Sequence, residues 1–214
     1  AKAGTGAGRP KLPDTAENRE WLARILMVEA GDIGGGPEWA GIAYVAVNRA
    51  EKWFQAAKAR VEGKKRFEPK GLLSEKWVSA HYPNAAVKAV TDTKAWFGSD
   101  EAKAKLEAPG LLNDARGRRA IALANAIFDG QMTNPIGPRS FFVHPGGMPA
   151  CETVGQRKKD RICMSTIAGK RWLPSQNVTA AEGGSAQYDP QVVGRAVFAE
   201  LAGYYPGVGG RRVA

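Results

Sequence analysis

Residues 21–49, WLARILMVEAGDIGGGPEWAGIAYVAVNR, restrict the fold more than any other part of the chain. Apolar side chains at Trp21, Leu22, Ile25, Leu26 and Val28 recur at the spacing of an amphipathic helix. Upstream, Asp14-Thr15-Ala16-Glu17 reads as a capping box in which Glu17 answers Asp14, and Gly31 supplies a stop. Gly34, Gly35 and Gly36 then form a turn in which bare backbone can come close to a ligand. Pro37 suits the first turn of a second helix, with Trp39, Ile42, Ala43, Ala46 and Val47 as its core positions. Two apolar helices joined by so short a turn bury their faces in one core.

Glu29 is the anomaly in this pattern. It follows Leu22, Ile25 and Leu26 by seven, four and three residues, which sets it on the apolar stripe. Desolvation there favours the protonated carboxyl, the form a general acid needs to protonate a leaving oxygen. A Glu that bends outward or accepts a bond from a nearby backbone amide would leave the same spacing. The periodicity does not choose between these readings.

Downstream, periodicity predicts further helices at 84–97 (Val87, Val90 and Phe97 inward), 99–107 and 115–129 (Ile121, Ala124, Ile127 and Phe128 inward), the last stopped by Gly130. Residues 1–13 read as a flexible lead, and 57–76 as a basic exposed insertion or loop. Residues 131–174 differ in kind. They hold Pro135, Pro138, Pro145 and Pro149, both cysteines and one β-like run, Ser140-Phe141-Phe142-Val143-His144, and read as a loop-rich flap with a short hairpin at most. Gly183-Gly184-Ser185 marks a hinge. A C-terminal helix is expected at 189–205, capped by Asp189 and burying Val193, Val197, Leu201 and Tyr204. The expected fold class is therefore mainly α, an α+β chain with a small β element, organised as one domain over 14–214.

At 214 residues and 43% hydrophobic, the chain is large enough for a sizeable core. No apolar run approaches the roughly 18 residues of a membrane span. The net charge of +10 favours polyanions and anionic surfaces, among them nucleic acid, teichoic acid and peptidoglycan. The basic residues are scattered, however, and no RRM, zinc or helix-turn-helix signature accompanies them, so a nucleic-acid-binding reading rests on charge alone. Cys151 and Cys163, with His81 and His144, lack the spacing of a metal site. They are either two separate thiols or a disulfide closing a loop of about 13 residues, which would contribute about 3 kcal/mol and imply an oxidising compartment.

Glu29-Ala30-Gly31, Glu38 and Ala43-Tyr44-Val45-Ala46-Val47-Asn48-Arg49 resemble the opening of the spore-cortex-lytic and cell-wall hydrolase family (SleB/CwlJ-like). In that family a helix ending in Glu-Ala is followed by a Gly-containing turn and a helix ending in Asn-Arg. Residues 120–130 (AIALANAIFDG) resemble the family's later helix, and 133–142 are a looser match to its Thr-Gly-Ala-x-x-Phe segment. The family's Gln-Phe-Ser segment has no clear counterpart, Gly71-Leu72-Leu73-Ser74 being closest in position. The match covers about a third of the chain.

The resemblance implies a lysozyme-like single domain that cleaves peptidoglycan glycan strands between N-acetylmuramic acid and N-acetylglucosamine. Glu29 inherits the role of single acid and then base, as in a lytic transglycosylase forming 1,6-anhydro ends. Muramidase-type hydrolysis would call for a second carboxylate, with Asp32 and Glu38 nearest in sequence; a non-catalytic wall-binding domain is a further reading. The chemistry needs no cofactor or metal. The expected setting is the cell envelope, periplasm or exterior, with the protein as a monomer. For the sugar groove, Asn48, Gln131, Phe142 and His144 are the candidates, since amides hydrogen-bond sugar hydroxyls and acetamides and aromatic faces pack on pyranose rings. Asn48 could equally finish its helix, Phe142 belong to the core, and His144 serve a structural hydrogen bond.

Overall fold

The computed structural model describes residues 8–30, 36–63, 81–91, 100–158, 161–166, 168–174, 191–199, 204–205 and 208–209. The Gly31 stop, Asp32, most of the glycine turn, Gly71–Ser74, the 183–185 hinge and the Asp189 cap lie outside these residues, as does most of the basic insertion. The described residues include the helices α1 (Ala16–Glu29), α2 (Glu38–Val61), α3 (Ala86–Thr91), α4 (Asp100–Glu107) and α5 (Ala115–Phe128). They are followed by eight short strands, β1 (Phe141–Val143), β2 (Arg157–Lys158), β3 (Arg161–Thr166), β4 (Gly169–Pro174), β5 (Gln191–Val193), β6 (Ala196–Ala199), β7 (Tyr204–Tyr205) and β8 (Val208–Gly209). The fold is mainly helical, with small antiparallel sheets.

The helix α1 is the hub, packing against α2, α3, α4 and α5. Leu22, Ala23, Ile25 and Leu26 are wholly buried, as the period predicts. Trp21 instead stays half-buried, with the Arg24 and Lys88 cations 5.8 and 5.1 Å from its ring centroid. The N-cap is Thr15, which accepts from the Asn18 amide, and not Asp14. Asp14 pairs with Arg19, whose guanidinium also reaches Asp129 and the Asn125 carbonyl at the end of α5. That fork holds the Asp14 carboxyl below its usual range. Arg24 donates in the same way to the Leu106 and Ala108 carbonyls at the end of α4. Arg24 thus satisfies carbonyls that the helix end leaves open, whereas the Asn125 carbonyl reached by Arg19 also accepts the Asp129 N–H.

α2 runs beyond Arg49 to Val61, so the basic stretch begins as helix. Trp39, Ile42, Ala43, Ala46 and Val47 are buried as expected. The Lys11 backbone amide donates to Glu51 of α2 at 2.7 Å. The chain leading into α1 therefore lies far along α2, and the two helices form an antiparallel hairpin. In α5, Asp114 caps the start and Gly130, at φ 75°, ends it. Ala124, Ile127 and Phe128 face inward, but Ile121 is exposed and Ala120 takes the buried place.

The expected C-terminal helix is the main correction. Residues 191–199 form the hairpin β5–β6, with Gly194-Arg195 as a two-residue turn and Gly194 at φ 56°. Val193 and Val197 fit an i, i+4 stripe, but in Val192-Val193-Gly194-Arg195-Ala196-Val197-Phe198 the β-branched residues and a Gly leading a two-residue turn favour a hairpin. β6 also pairs with β1, giving the sheet order β1-β6-β5. The 131–174 flap contains more strand than expected, since β2-β3-β4 form a second sheet. Cys151 and Cys163 are bridged, with Cα atoms 5.9 Å apart. The bridge secures 149–151 beside that sheet, where Cys151 N–H donates to the Lys170 carbonyl and Trp172 N–H to that of Pro149.

Asn18, wholly buried on α1, joins three segments: its amide donates to the Pro13 carbonyl and its oxygen accepts from Val87 N–H at the start of α3. Asn18→Ala would leave that buried N–H unpaired and should cost about 2 kcal/mol. The measurement is the urea midpoint of unfolding, and an unchanged midpoint would contradict the assignment.

Candidate functional site

Glu29 is the last residue of α1 and is half-buried, flanked along the helix by the buried Leu22, Ile25 and Leu26. The stripe position is as predicted, and the helix end gives the carboxylate access to water that a mid-helix position would deny. Because α1 and α2 are antiparallel, Glu29 shares its end of the hairpin with Glu38, the first residue of α2.

A second set of contacts carries the chain from the middle of α2 back to this end. Tyr44 donates to the Met132 carbonyl at 2.8 Å. Asn48 donates to the carbonyls of Gly137 and Arg139, at 2.8 and 2.6 Å, and its oxygen accepts from Asn134. Arg49, also buried, donates to the Ser140 carbonyl at 2.6 Å. From that anchor β1 runs back beside α2. The return is geometrically matched: four residues of strand cover about 13 Å, and eleven residues of helix about 16 Å. His144, just past β1, arrives near Glu38, and the Glu38 charge acts on its ring.

The β5–β6 hairpin completes the site. The register sets Phe142 opposite Phe198 and Val143 opposite Val197, so His144 comes level with Ala196 and the Gly194-Arg195 turn. Phe198 is wholly buried, with its ring in the space a Cβ on Gly41 would fill. The Glu38 carboxylate likewise occupies the space of a Cβ on Gly194 or Gly36. Both are close approaches that only glycine permits. Glu38 is 3% exposed. Both His144 ring nitrogens are buried without a well-formed hydrogen bond, although the Arg195 backbone lies beside the ring. The Phe142 ring meets the imidazole edge-on, at 5.6 Å between centroids. Burial pushes the His144 proton affinity down, opposed by the Glu38 charge and then by the Arg195 backbone.

The expected groove residues therefore separate. Phe142 and His144 lie at the Glu29 end, Phe142 half-buried against Phe198 and the core. Asn48 lies inside, with both amide hydrogens committed to backbone carbonyls and no donor left for a sugar. Gln131 is exposed beyond the end of α5, which Arg19 and Asp129 tie to the start of α1. Ten helical residues, about 15 Å, separate that point from Glu29. Gly194 and Phe198 were missed because the segment was read as helix; the Gly-led two-residue turn between β-prone runs was the signal for them. Among the described residues, no three side chains cluster as metal ligands, and no helix is long and apolar enough to cross a membrane. No protein-family model, curated protein or solved structure matches the chain.

Two outcomes follow from this geometry. Asn48→Ala should lower stability by about 2 kcal/mol, chiefly through the orphaned Arg139 carbonyl, as read by urea unfolding. His144 binds a proton less readily in the fold than in the unfolded chain, so its contribution is intact above about 6.5. It is lost as pH falls from there through the depressed folded value, because the unfolded state takes up the proton first. The urea midpoint of wild type should fall more between pH 7.5 and 5.5 than that of His144→Gln; equal falls would refute the shift.

Proposed function

We propose that the protein cleaves the glycan strands of bacterial peptidoglycan between N-acetylmuramic acid and N-acetylglucosamine, as a lytic transglycosylase of lysozyme-like fold. The observation that carries the reading is Glu29: a half-buried carboxylate closing a core helix, at the end of the hairpin where Glu38 and His144 also gather. In this reading protonated Glu29 gives its proton to the glycosidic oxygen as the C1–O bond breaks. The resulting carboxylate accepts the proton of the muramoyl 6-hydroxyl as that oxygen bonds to C1. Glu29 is thereby reprotonated, and the product ends in a 1,6-anhydro ring.

Burial of Glu38 beneath Gly194 favours this route over hydrolysis. A carboxylate that activates water opposite the acid needs open space for that water, and the Glu38 oxygens are pressed against glycine backbone instead. The +10 charge suits the anionic wall, and the disulfide suits an exported protein in the cell envelope or beyond. The helical core with a small sheet against α2 is compatible with a lysozyme-like arrangement.

Digestion of purified peptidoglycan, with products read by mass spectrometry, tests the reading. Wild type should release anhydro-muropeptides, and Glu29→Gln should lower the rate at least about a hundredfold, the lower range for losing a general acid. Full activity in Glu29→Gln would remove the catalytic assignment, and reducing muramic acid ends would mean hydrolysis.

A further inference from the structure

We infer that Glu38 is a positioning residue, holding His144 and the β5–β6 turn against the N-terminus of α2 at the end of the hairpin that carries Glu29. The inference rests on the proposed cleavage only for what the positioned segment serves. The contacts themselves stand apart from it.

Three observations converge on Glu38. The first is its burial: a carboxylate at a helix N-terminus gains from the dipole while remaining in water, yet this one is 3% exposed and lies under Gly194. An apolar side chain would fill that space without the cost of desolvating a charge. The second is its packing: the carboxylate fills the space of a Cβ on Gly36 as well as on Gly194. The third is the adjacent imidazole, whose two nitrogens are buried without a well-formed hydrogen bond. A buried carboxylate and a buried imidazole, brought together by three chain segments distant in sequence, act as one unit.

Three segments meet here: α2 supplies Glu38, β1 and the residue after it supply Phe142 and His144, and the β5–β6 turn supplies Gly194 and Arg195. Among the described residues, the charged groups of this end are Glu29 on α1, Glu38 on α2 and Arg195, whose side chain is exposed, on the turn. Phe142 adds none.

The direction of the effect follows from the electrostatics. A protonated His144 in this position lacks water, and the Glu38 anion is what compensates it. With Glu38 present, the β1 end and the turn stay docked as the pH drops. Without it, protonation draws the imidazole out toward solvent, and the turn loses its seat on α2. Gly194 has a share in this, because a Cβ there would displace the carboxylate, and φ 56° already disfavours other residues.

The chain has only two histidines, so imidazole NMR of the full-length protein resolves the question directly. In Glu38→Gln the His144 titration midpoint should fall by about half a pH unit or more, while that of His81 stays put. Gly194→Ala should move it in the same direction, and Glu38→Asp should restore part of the shift. If Glu38→Gln leaves the His144 midpoint unmoved, or moves both histidines equally, the inference fails.

On peptidoglycan, Glu38→Gln should lose activity at higher pH than wild type as the solution is acidified. Adding Glu38→Gln to His144→Gln should change the acid limb no further. An equal extra change in that background would show that Glu38 acts without His144 and would overturn the inference. Absence of cleavage by wild type would sink the proposed function alone, since the NMR shift still decides the pairing.

Discussion

The hydrogen bonds from Asn48 and Arg49 to the carbonyls of Gly137, Arg139 and Ser140 are the constraint on which the rest of the site depends. They hold a proline-rich segment that has no regular pairing of its own against the middle of a buried helix. Buried carbonyls need donors, and two adjacent buried polar residues of α2 supply them. β1 begins directly after the last of these bonds. Its direction, its pairing with β6 and the arrival of His144 at Glu38 all follow from where that strand starts.

The site is consequently polarised along the helix hairpin. One end is structural, with Asn48, Arg49 and Tyr44 serving backbone groups of the returning loop. The other collects Glu29, Glu38 and His144, side chains whose burial carries an electrostatic cost. Glycines 36, 41 and 194 make this crowding possible, since each lies where a Cβ would overlap the Glu38 carboxylate or the Phe198 ring. The arginines on α1 play a complementary part. Arg19 and Arg24 bind the ends of α5 and α4, which fixes α1, and hence Glu29, in the centre of the bundle.

Some of this was legible from residue order alone. The stripes of α1 and α2 are strongly periodic, and the residues expected inward are mostly buried, with Trp21 half out. Glu29 was visible because a carboxylate on such a stripe is rare enough to stand out. Cys151 and Cys163 were compatible with a bridge, but also with separate thiols, and only the fold of β3 and β4 brings their Cα atoms within range. Asn48 was misplaced into the groove for an instructive reason: an amide suited to a sugar is equally suited to a carbonyl. Ile121 and Ala120 exchanged places because neighbouring positions on a helix compete for the same edge of its buried face.

By itself, then, the sequence determined the helix hairpin, its buried faces and the position of Glu29 upon it, because these depend on local period and on side chains within about two turns. Tertiary structure alone decided the pairing of β6 with β1 and the meeting of Glu38 with His144. A short run of valines around a glycine satisfies both helical and strand spacing, and what selects between them is a partner strand more than fifty residues earlier in the chain. Long-range pairing leaves no trace in local period, so the part of the site that depends on it appears only once the chain has folded.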